Sequence, residues 1–370
     1  MESAKTFLQN RLDPADITIN GSRPFDIQIK DERFFNRFLL NGSLGLGEAY
    51  MDGWWECRQL DEFFNRIFKI TPNEKTRRIK EFALVVRAAI SNMQSGLRSS
   101  EVVNKHYDIG NDLFKNMLDK RMVYTCAYWK NTDNLDDAQE AKLNLICKKI
   151  NLQPGQKILD IGCGWGSFAK YAAEKYDVTV VGITISKKQL ELAKILCQGL
   201  PIEIRFQDYK DLNEKFDHIV SIGMFEAVGF KNFRTFMNVV SENLSPEGLF
   251  LLHTIGSRKS SRSTDPWFDK YIFPNGVLPS EKQITTASEG IFVMEDWHNF
   301  RTEYDKTLMQ WYKNFISSWE IIKGSYDERF YRMWTYYLLS SAAGFRSGKN
   351  QLWQIVYSKN GVPGGYKSVR

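Results

Sequence analysis

Apolar residues recur along this chain with two different periods. Between residues 31 and 95 they fall every three or four positions. Leu60, Phe63, Phe64, Ile67 and Phe68 share one helical face, and Ile79, Phe82, Ala83, Val86, Ile90 and Met93 share another. Thr71-Pro72-Asn73 separates the two helices as a turn. Ser91–Ser100, which reads SNMQSGLRSS, is small and polar and predicts a linker. Beyond it, short apolar runs alternate with helical patterns. Strands are predicted at Lys157–Ile161, Val178–Ile183, Ile202–Phe206, His218–Ile222 and Gly248–His253. Helices are predicted between them at about Ser167–Tyr176, Ser186–Gln198 and Asn232–Leu244. Two later strands, Ile291–Met294 and Gln351–Tyr357, accompany helices near Thr307–Trp319 and Asp327–Ala343. The alternation predicts an α/β fold with a parallel sheet built from βαβ units. The stretch Gly256–Glu289 is too long for an ordinary connection and predicts a functional insertion.

Composition narrows the class. A chain of 370 residues predicts about two domains. With 43% hydrophobic and 25% charged residues it is neither disordered nor fibrous. Its longest apolar runs, such as Phe82–Val86, fall far short of the ~18–20 residues that span a bilayer. The first residues, MESAKTFLQN, carry no apolar signal core, which predicts a cytoplasmic protein. Five widely spaced Cys form no disulfide framework and suit a reducing compartment, and four His leave little for a metal centre. No metal ligand set is therefore expected. Charge is uneven. From Phe63 to Arg98 eight cations (Arg66, Lys69, Lys75, Arg77, Arg78, Lys80, Arg87, Arg98) face only Glu74 and Glu81. Such a local basic helix suits nucleic acid or an anionic membrane surface, or is simply a solvated face.

The strongest local signal is Leu159-Asp160-Ile161-Gly162-Cys163-Gly164-Trp165-Gly166-Ser167. A strand ends in a glycine-rich turn and a helix begins, so the backbone can approach a ligand closely. The spacing is Gly-x-Gly-x-Gly, not the dinucleotide Gly-x-Gly-x-x-Gly, and the position where a ribose-binding acid is expected is Gly182. These residues resemble motif I of the S-adenosylmethionine-dependent methyltransferases. The resemblance implies a class I methyltransferase fold: a Rossmann-like, mostly parallel seven-stranded sheet, preceded here by a small N-terminal helical domain. It places the methionine part of S-adenosylmethionine along Asp160, Gly162, Cys163 and Gly164. It places ribose and adenine on Thr184, Ile185, Gln189, Gln207, Asp208 and Tyr209.

Further motifs narrow the family. They are His106-Tyr107-Asp108-Ile109-Gly110-Asn111-Asp112-Leu113-Phe114, Tyr124-Thr125-Cys126-Ala127-Tyr128-Trp129, Gly223-Met224-Phe225-Glu226, His253-Thr254-Ile255-Gly256 and Phe273-Pro274-Asn275-Gly276. Upstream stand Gly42-Ser43-Leu44-Gly45-Leu46-Gly47-Glu48 and Met51-Asp52-Gly53-Trp54-Trp55. In combination, from about residue 17 onward, these resemble bacterial cyclopropane-fatty-acyl-phospholipid synthases. The resemblance implies attack of an acyl-chain alkene on the cofactor's methyl group, a carbocation, loss of a proton and ring closure. It implies that bound bicarbonate takes the proton in a pocket of Cys126, Glu226, His253, Ile255 and Tyr304. Cys126 and Ile255 would offer backbone N–H groups there, His253 and Tyr304 would donate hydrogen bonds, and Glu226 would share the bicarbonate's proton. Tyr124 and Thr125 join the cofactor set. The late aromatic residues, among them Trp311, Phe315, Trp319 and Trp334, are core packing or, for some, ring faces toward a cation.

The family resemblance implies a phospholipid substrate with an unsaturated chain, docking on the inner leaflet, and a homodimer. The division it predicts is a lipid- or membrane-associating domain over residues 1–90, a linker over 91–100 and a catalytic domain over 101–370. Two positions depart from the family: Ala227 replaces the usual His after Phe225-Glu226, and Ser341 stands where some members carry Cys. Plain methylation of the same lipids and a non-catalytic lipid-binding homologue remain alternatives. A nucleic-acid methyltransferase is disfavoured, because no Asn-Pro-Pro-Tyr-type motif occurs and the aromatics do not interleave with basic runs.

Overall fold

The computed structural model describes residues 4–70 and 110–370. The proposed linker, the helix predicted around Ile79–Met93, the cations from Lys75 to Arg98 and the first four residues of the His106 motif lie outside the described residues. The chain forms two compact units. One is drawn from residues up to Leu113, with Asp265–Pro274 and Ile316–Lys349; the other is drawn from Phe114–Thr264, Asn275–Phe315 and Asn350–Arg370. This partition is discontinuous, unlike the contiguous division that the sequence suggests.

The reason for the discontinuity is aromatic packing within the first unit. Trp267 is fully buried. A Cβ on Gly47 would lie 2.3 Å from its ring, and the Tyr336 ring centroid lies 4.4 Å from it. Tyr336 in turn packs on Tyr50 and Phe64. Polar clamps reinforce this: Arg346 pairs with Asp61 at 2.7 Å, and Arg332 donates to the carbonyl of Trp55 at 3.0 Å. The region expected to be helical throughout contains a break. Strands β1 (Gln28–Ile29) and β2 (Trp55–Glu56) pair antiparallel, flanking the helix Arg33–Met51, which kinks at Gly42. The helix Leu60–Lys69 buries Leu60, Phe63 and Phe64, as its periodicity predicts.

The second unit holds a seven-stranded sheet of β3 (Lys157–Ile161), β4 (Thr179–Thr184), β5 (Ile202–Phe206), β6 (His218–Ile222), β7 (Leu249–Ser257), β8 (Val293–Asn299) and β9 (Asn350–Ser358). Their spatial order is β5-β4-β3-β6-β7-β9-β8. The first five are parallel, whereas β9 runs antiparallel to both neighbours. Strand order reverses between β3 and β6, the place where doubly wound sheets open a ligand crevice. The inner strands β3, β4, β6 and β7 read as near-continuous apolar runs because they are buried on both faces. One face packs Leu159, Ile161, Phe225, Phe236, Phe250 and Trp353, and the other packs Ile146, Ile158, Phe168, Val220 and Leu251.

Two strands extend beyond their predicted ends. β7 runs on to Ser257, where a Cβ on Gly256 would come within 2.0 Å of the Trp353 ring, so only glycine lets the strands close there. β8 continues to Asn299 through Glu295, Asp296 and His298. Those polar residues break the apolar pattern but find partners: Asp296 accepts from Arg370 at 2.6 and 2.7 Å and from Ser368 at 2.9 Å. Among the described residues no helix is long and apolar enough to cross a membrane.

Candidate active site

The glycine-rich turn leaves β3 at Ile161 and caps the helix Ser167–Tyr176. Gly162, Gly164 and Gly166 all have positive φ, at 80°, 57° and 81°. The Gly162 and Cys163 N–H groups both donate to the Ile183 carbonyl, at 2.9 and 3.0 Å, which folds the turn over the end of β4. A Cβ on Gly162 would lie 2.5 Å from Met224, and one on Gly166 would lie 2.7 Å from the Cys197 sulfur. A Cβ on Gly164 would meet nothing within 4 Å. Gly162 and Gly166 therefore serve packing, and Gly164 opens the backbone.

A cavity of about 140 Å³ lies against this turn. Of the residues expected to hold the cofactor, it brings together Tyr124, Thr125, Asp160, Gly162, Cys163, Gly164 and Gln189. Thr184, Ile185, Gln207, Asp208 and Tyr209 are not among its lining residues. Thr184 donates through Oγ1 to Gln189 Oε1 at 3.0 Å, and the Gln207 N–H donates to the Thr184 carbonyl at 3.1 Å. That ties the ends of β4 and β5 to the cavity's rim through Gln189. Ile185 is 72% exposed, Asp208 caps a short turn by accepting from the Lys210 N–H, and Tyr209 packs edge-on against Phe236.

Sequence reasoning missed one lining residue of consequence, Lys142. It lies in the helix Leu135–Lys149, is fully buried, and donates to Thr125 Oγ1 at 2.8 Å. Gln139, one turn earlier, donates to the Thr125 carbonyl at 2.8 Å. The available signal was position: Lys142 falls on the helix face that buries Ala138, Leu145 and Ile146. Burial pushes its ammonium down and the neighbouring Asp160 carboxyl up, and their mutual attraction opposes both shifts.

The five residues expected to surround bicarbonate come from four places. Glu226 occupies the short turn Phe225–Ala227 after β6. Its Oε1 accepts from the Ile255 N–H at 2.5 Å, whereas Oε2 is sealed from solvent and has no partner among the described residues. Burial pushes its carboxyl up to about 7, against the opposing pull of the Ile255 hydrogen bond. The Ile255 N–H, which the family resemblance assigns to the anion, is thus spent on orienting Glu226. His253 lies on β7 opposite Gln354 on β9, whose amide reaches Nδ1 at 3.2 Å. That amide donation leaves the proton on Nε2, which is buried and has no partner among the described residues. Burial, with Lys142 and Lys149 adding positive charge, holds the ring neutral.

Cys126 is fully buried, its sulfur 3.1 Å from the Ala127 carbonyl, and burial pushes the thiol far above its ordinary range. It is no nucleophile. Thr307 braces this segment by accepting from the Ala127 N–H at 3.1 Å and the Trp129 indole at 2.9 Å while donating to the Glu303 carbonyl at 2.7 Å. Tyr304, next to Glu303 on the same helix, is 8% exposed. Its ring starts an aromatic chain through Trp311, Tyr124 and Phe114 to Trp165, with centroids 5.0 to 5.9 Å apart. The chain joins the glycine-rich turn to Tyr304. Among the described residues no group of three His, Cys, Asp or Glu side chains is placed to hold a metal ion.

The order of the sheet, the glycine-rich turn at its switch point and the cavity beside it are those of an S-adenosylmethionine-dependent methyltransferase. Solved structures with this fold include the cyclopropane synthase MmaA2 from Mycobacterium tuberculosis, with a TM-score of 0.66 and 30% identity over 70% of this chain and 98% of that one. The mycolic acid cyclopropane synthase CmaA1 complexed with SAH and CTAB gives 0.64 and 32% over the same shares. The profile of the mycolic acid cyclopropane synthetase family matches residues 94–355, and this chain belongs to that family. Among curated relatives, the cyclopropane-fatty-acyl-phospholipid synthase of Escherichia coli strain K12 is 54% identical over 97% of this chain and 94% of its own length. A probable fatty acid methyltransferase of Pseudomonas putida is 35% identical over 70% of this chain and 69% of its own.

Proposed function

We propose that this protein transfers a methylene group from S-adenosylmethionine to the cis double bond of an unsaturated phospholipid acyl chain, forming a cyclopropane ring, with bicarbonate held beside the reacting carbon. The observation that carries this reading is the pairing of near-full-length identity to a cyclopropane-fatty-acyl-phospholipid synthase with two sealed, partnerless polar atoms, Glu226 Oε2 and His253 Nε2. Each such atom costs ~1–3 kcal/mol if left unpaired, so the pair fits a small polar ligand. A neutral His253 donating from Nε2 and a Glu226 carboxyl poised near neutrality match an anion that carries its own proton. When bound, S-adenosylmethionine supplies an electrophilic methyl and bicarbonate supplies a base.

The chain's own residues do the rest. Gly164 lets the donor approach the backbone, and Asp160 and Gln189 orient its two ends. The Ile255 N–H fixes Glu226, and Gln354 fixes the His253 tautomer. Tyr124, Trp311 and Tyr304 present rings to positive charge on the acyl chain, each worth ~0.5–2 kcal/mol when desolvated. Buried surroundings keep water from quenching that charge. Docking on an anionic bilayer through the basic window from Phe63 to Arg98, and assembly as a homodimer, belong to the same proposal.

Incubation with S-adenosylmethionine and unsaturated phospholipid vesicles, followed by mass analysis of the acyl chains, tests the reaction. Gain of one CH2 with loss of the alkene is expected. A branched saturated or methylidene product would favour methylation without ring closure, and no product would leave a lipid-binding homologue. Unchanged rates after bicarbonate depletion would remove the anion. Flotation on anionic liposomes is expected to weaken on charge reversal at Arg77, Arg78 and Lys80.

A further inference from the structure

Lys142 is a cation in the wrong solvent. It is fully buried, and removing an ammonium from water costs several kcal/mol unless its surroundings compensate. An ammonium carries three N–H donors, yet Lys142 makes one hydrogen bond among the described residues, to Thr125 Oγ1. The nearby carboxyls do not use up the remainder. Asp119 is occupied by the Val123 and Arg121 N–H groups, at 2.8 and 3.0 Å. Asp160 shares the cavity wall with Lys142 and acts on it through charge. The Cys126 thiol and the His253 ring, the other titratable groups coupled to Lys142, are both held neutral by burial.

Lys142 and Asp160 thus place one positive and one negative group on the same small cavity, beside Gly162. The amino-acid end of the sulfonium donor is a zwitterion with a single carboxylate and a single ammonium. Gln189 lies at the rim tied to the ends of β4 and β5, so the nucleoside end belongs there. We propose that Lys142 is a cofactor-binding residue: its unused N–H donors receive the α-carboxylate of S-adenosylmethionine, while Asp160 receives the α-ammonium. The proposal rests on the cofactor reading above and adds to it a residue and a ligand group. Thr125, held by both Gln139 and Lys142, then positions the ammonium of Lys142 and is not itself the main anion contact.

Calorimetric titration of the full-length protein with two ligands tests this without turnover. One is S-adenosylhomocysteine; the other is S-adenosyl-3-thiopropylamine, which lacks only the carboxylate. The wild-type protein is expected to prefer the first by about 10- to 100-fold, the range of a charge-assisted hydrogen bond. In Lys142→Gln, which keeps a donor for Thr125, the preference is expected to collapse to below about threefold with no loss of affinity for the carboxylate-free ligand. Equal affinities in the wild type overturn the proposal even if no variant folds. A variant that weakens both ligands alike overturns it too, leaving Lys142 a packing role. Binding of neither ligand to the wild type would strike the cofactor reading itself, a different failure.

Discussion

The two halves of the site are built in opposite ways. The cavity proposed for the cofactor is framed on one side by a backbone turn, the contiguous run from Asp160 to Gly166 whose glycines adopt positive φ, and is completed by side chains such as Lys142 and Gln189. Glu226 and His253 are side chains from a turn and from β7, held by the Ile255 N–H and by Gln354 on β9, and each keeps one buried polar atom, Oε2 and Nε2, with no partner among the described residues. A turn fixed by its own backbone is finished before ligand arrives. A cluster with sealed, partnerless atoms is a stored cost that a ligand removes. The first half should therefore fail by steric change and the second by loss of a proton site.

The sharpest break in this contrast comes from Glu226→Gln. The amide keeps the shape and an acceptor for the Ile255 N–H but cannot hold or release a proton. Turnover is expected to fall by about 10²- to 10⁴-fold, measured as acyl-chain product per enzyme, with little change in S-adenosylhomocysteine affinity. The pH dependence follows from the same residue. Its carboxyl sits at about 7 in the folded protein against an ordinary 4.5. Because the ionised form is the acceptor, turnover should climb as pH rises through about 7, and the variant should lose that limb. Stability runs the other way. Between 4.5 and about 7 the folded protein binds more protons than the unfolded chain, so this group's contribution declines as pH rises across that window. Urea unfolding from pH 5 to pH 8 is expected to show a fall of about 2–4 kcal/mol that Glu226→Gln flattens.

Next in size is Gly162→Ala set against Gly164→Ala. At Gly162 the methyl meets Met224 at 2.5 Å in a left-handed backbone, so overlap and strain add. A loss of about 2–4 kcal/mol is expected in thermal or urea unfolding. Gly164 carries the strain alone, with nothing within 4 Å, and should cost about 1–2 kcal/mol. Its methyl enters the space beside the ligand, so cofactor affinity should fall more than stability. Equal stability losses at the two positions would erase the distinction between packing and approach.

How far the sequence revealed these halves follows from the same contrast. A contiguous motif is visible in one dimension: β3, the turn and the helix Ser167–Tyr176 form where the residues predict. β6 also matches, because a buried parallel strand is a mostly apolar run, and edge strand β5 matches through the alternation of Ile202, Ile204 and Phe206 with Glu203 and Arg205. β8 was visible only at its start, since Asp296 and His298 imitate a loop until Arg370 is seen beside them. The pairing of Gly47 with Trp267 joins positions too far apart for any local pattern, so the discontinuous first unit stayed hidden. Lys142 escaped for a simpler reason: lysine reads as solvent-facing unless its helix face is counted residue by residue. Glu226, His253 and Ile255 were named through family resemblance, which did not show that Ile255 is already engaged by Glu226.

Thr307→Val tests whether the Cys126 segment belongs with the rigid half. Valine keeps the shape but removes the acceptor used by the Ala127 N–H and the Trp129 indole. The indole retains the Glu303 carbonyl at 3.1 Å, so one buried donor is orphaned and not two. A loss of about 1–3 kcal/mol in unfolding free energy is expected. A smaller loss would mean that the Cys126 segment relaxes and is soft.

The smallest expected effect is the most discriminating about the family's missing imidazole. Ala227 follows Glu226 in the turn, so a histidine there puts an imidazole next to Glu226 in the sequence. The geometry turns it away. Ala227 is exposed, its N–H is bound to the Met224 carbonyl at 2.9 Å, and the Glu226 carboxyl is drawn inward by the Ile255 N–H. Successive residues of so tight a turn point in different directions, so a side chain at this position leaves on the solvent side. Exposed substitutions of this kind change free energies by about 0.5 kcal/mol or less, so Ala227→His should alter kcat/KM by no more than about twofold. Measured on the same vesicles, a gain beyond tenfold would mean that the solvent face of the turn is part of the proton path, and the boundary drawn here between a sealed cluster and an inert rim would have to move outward.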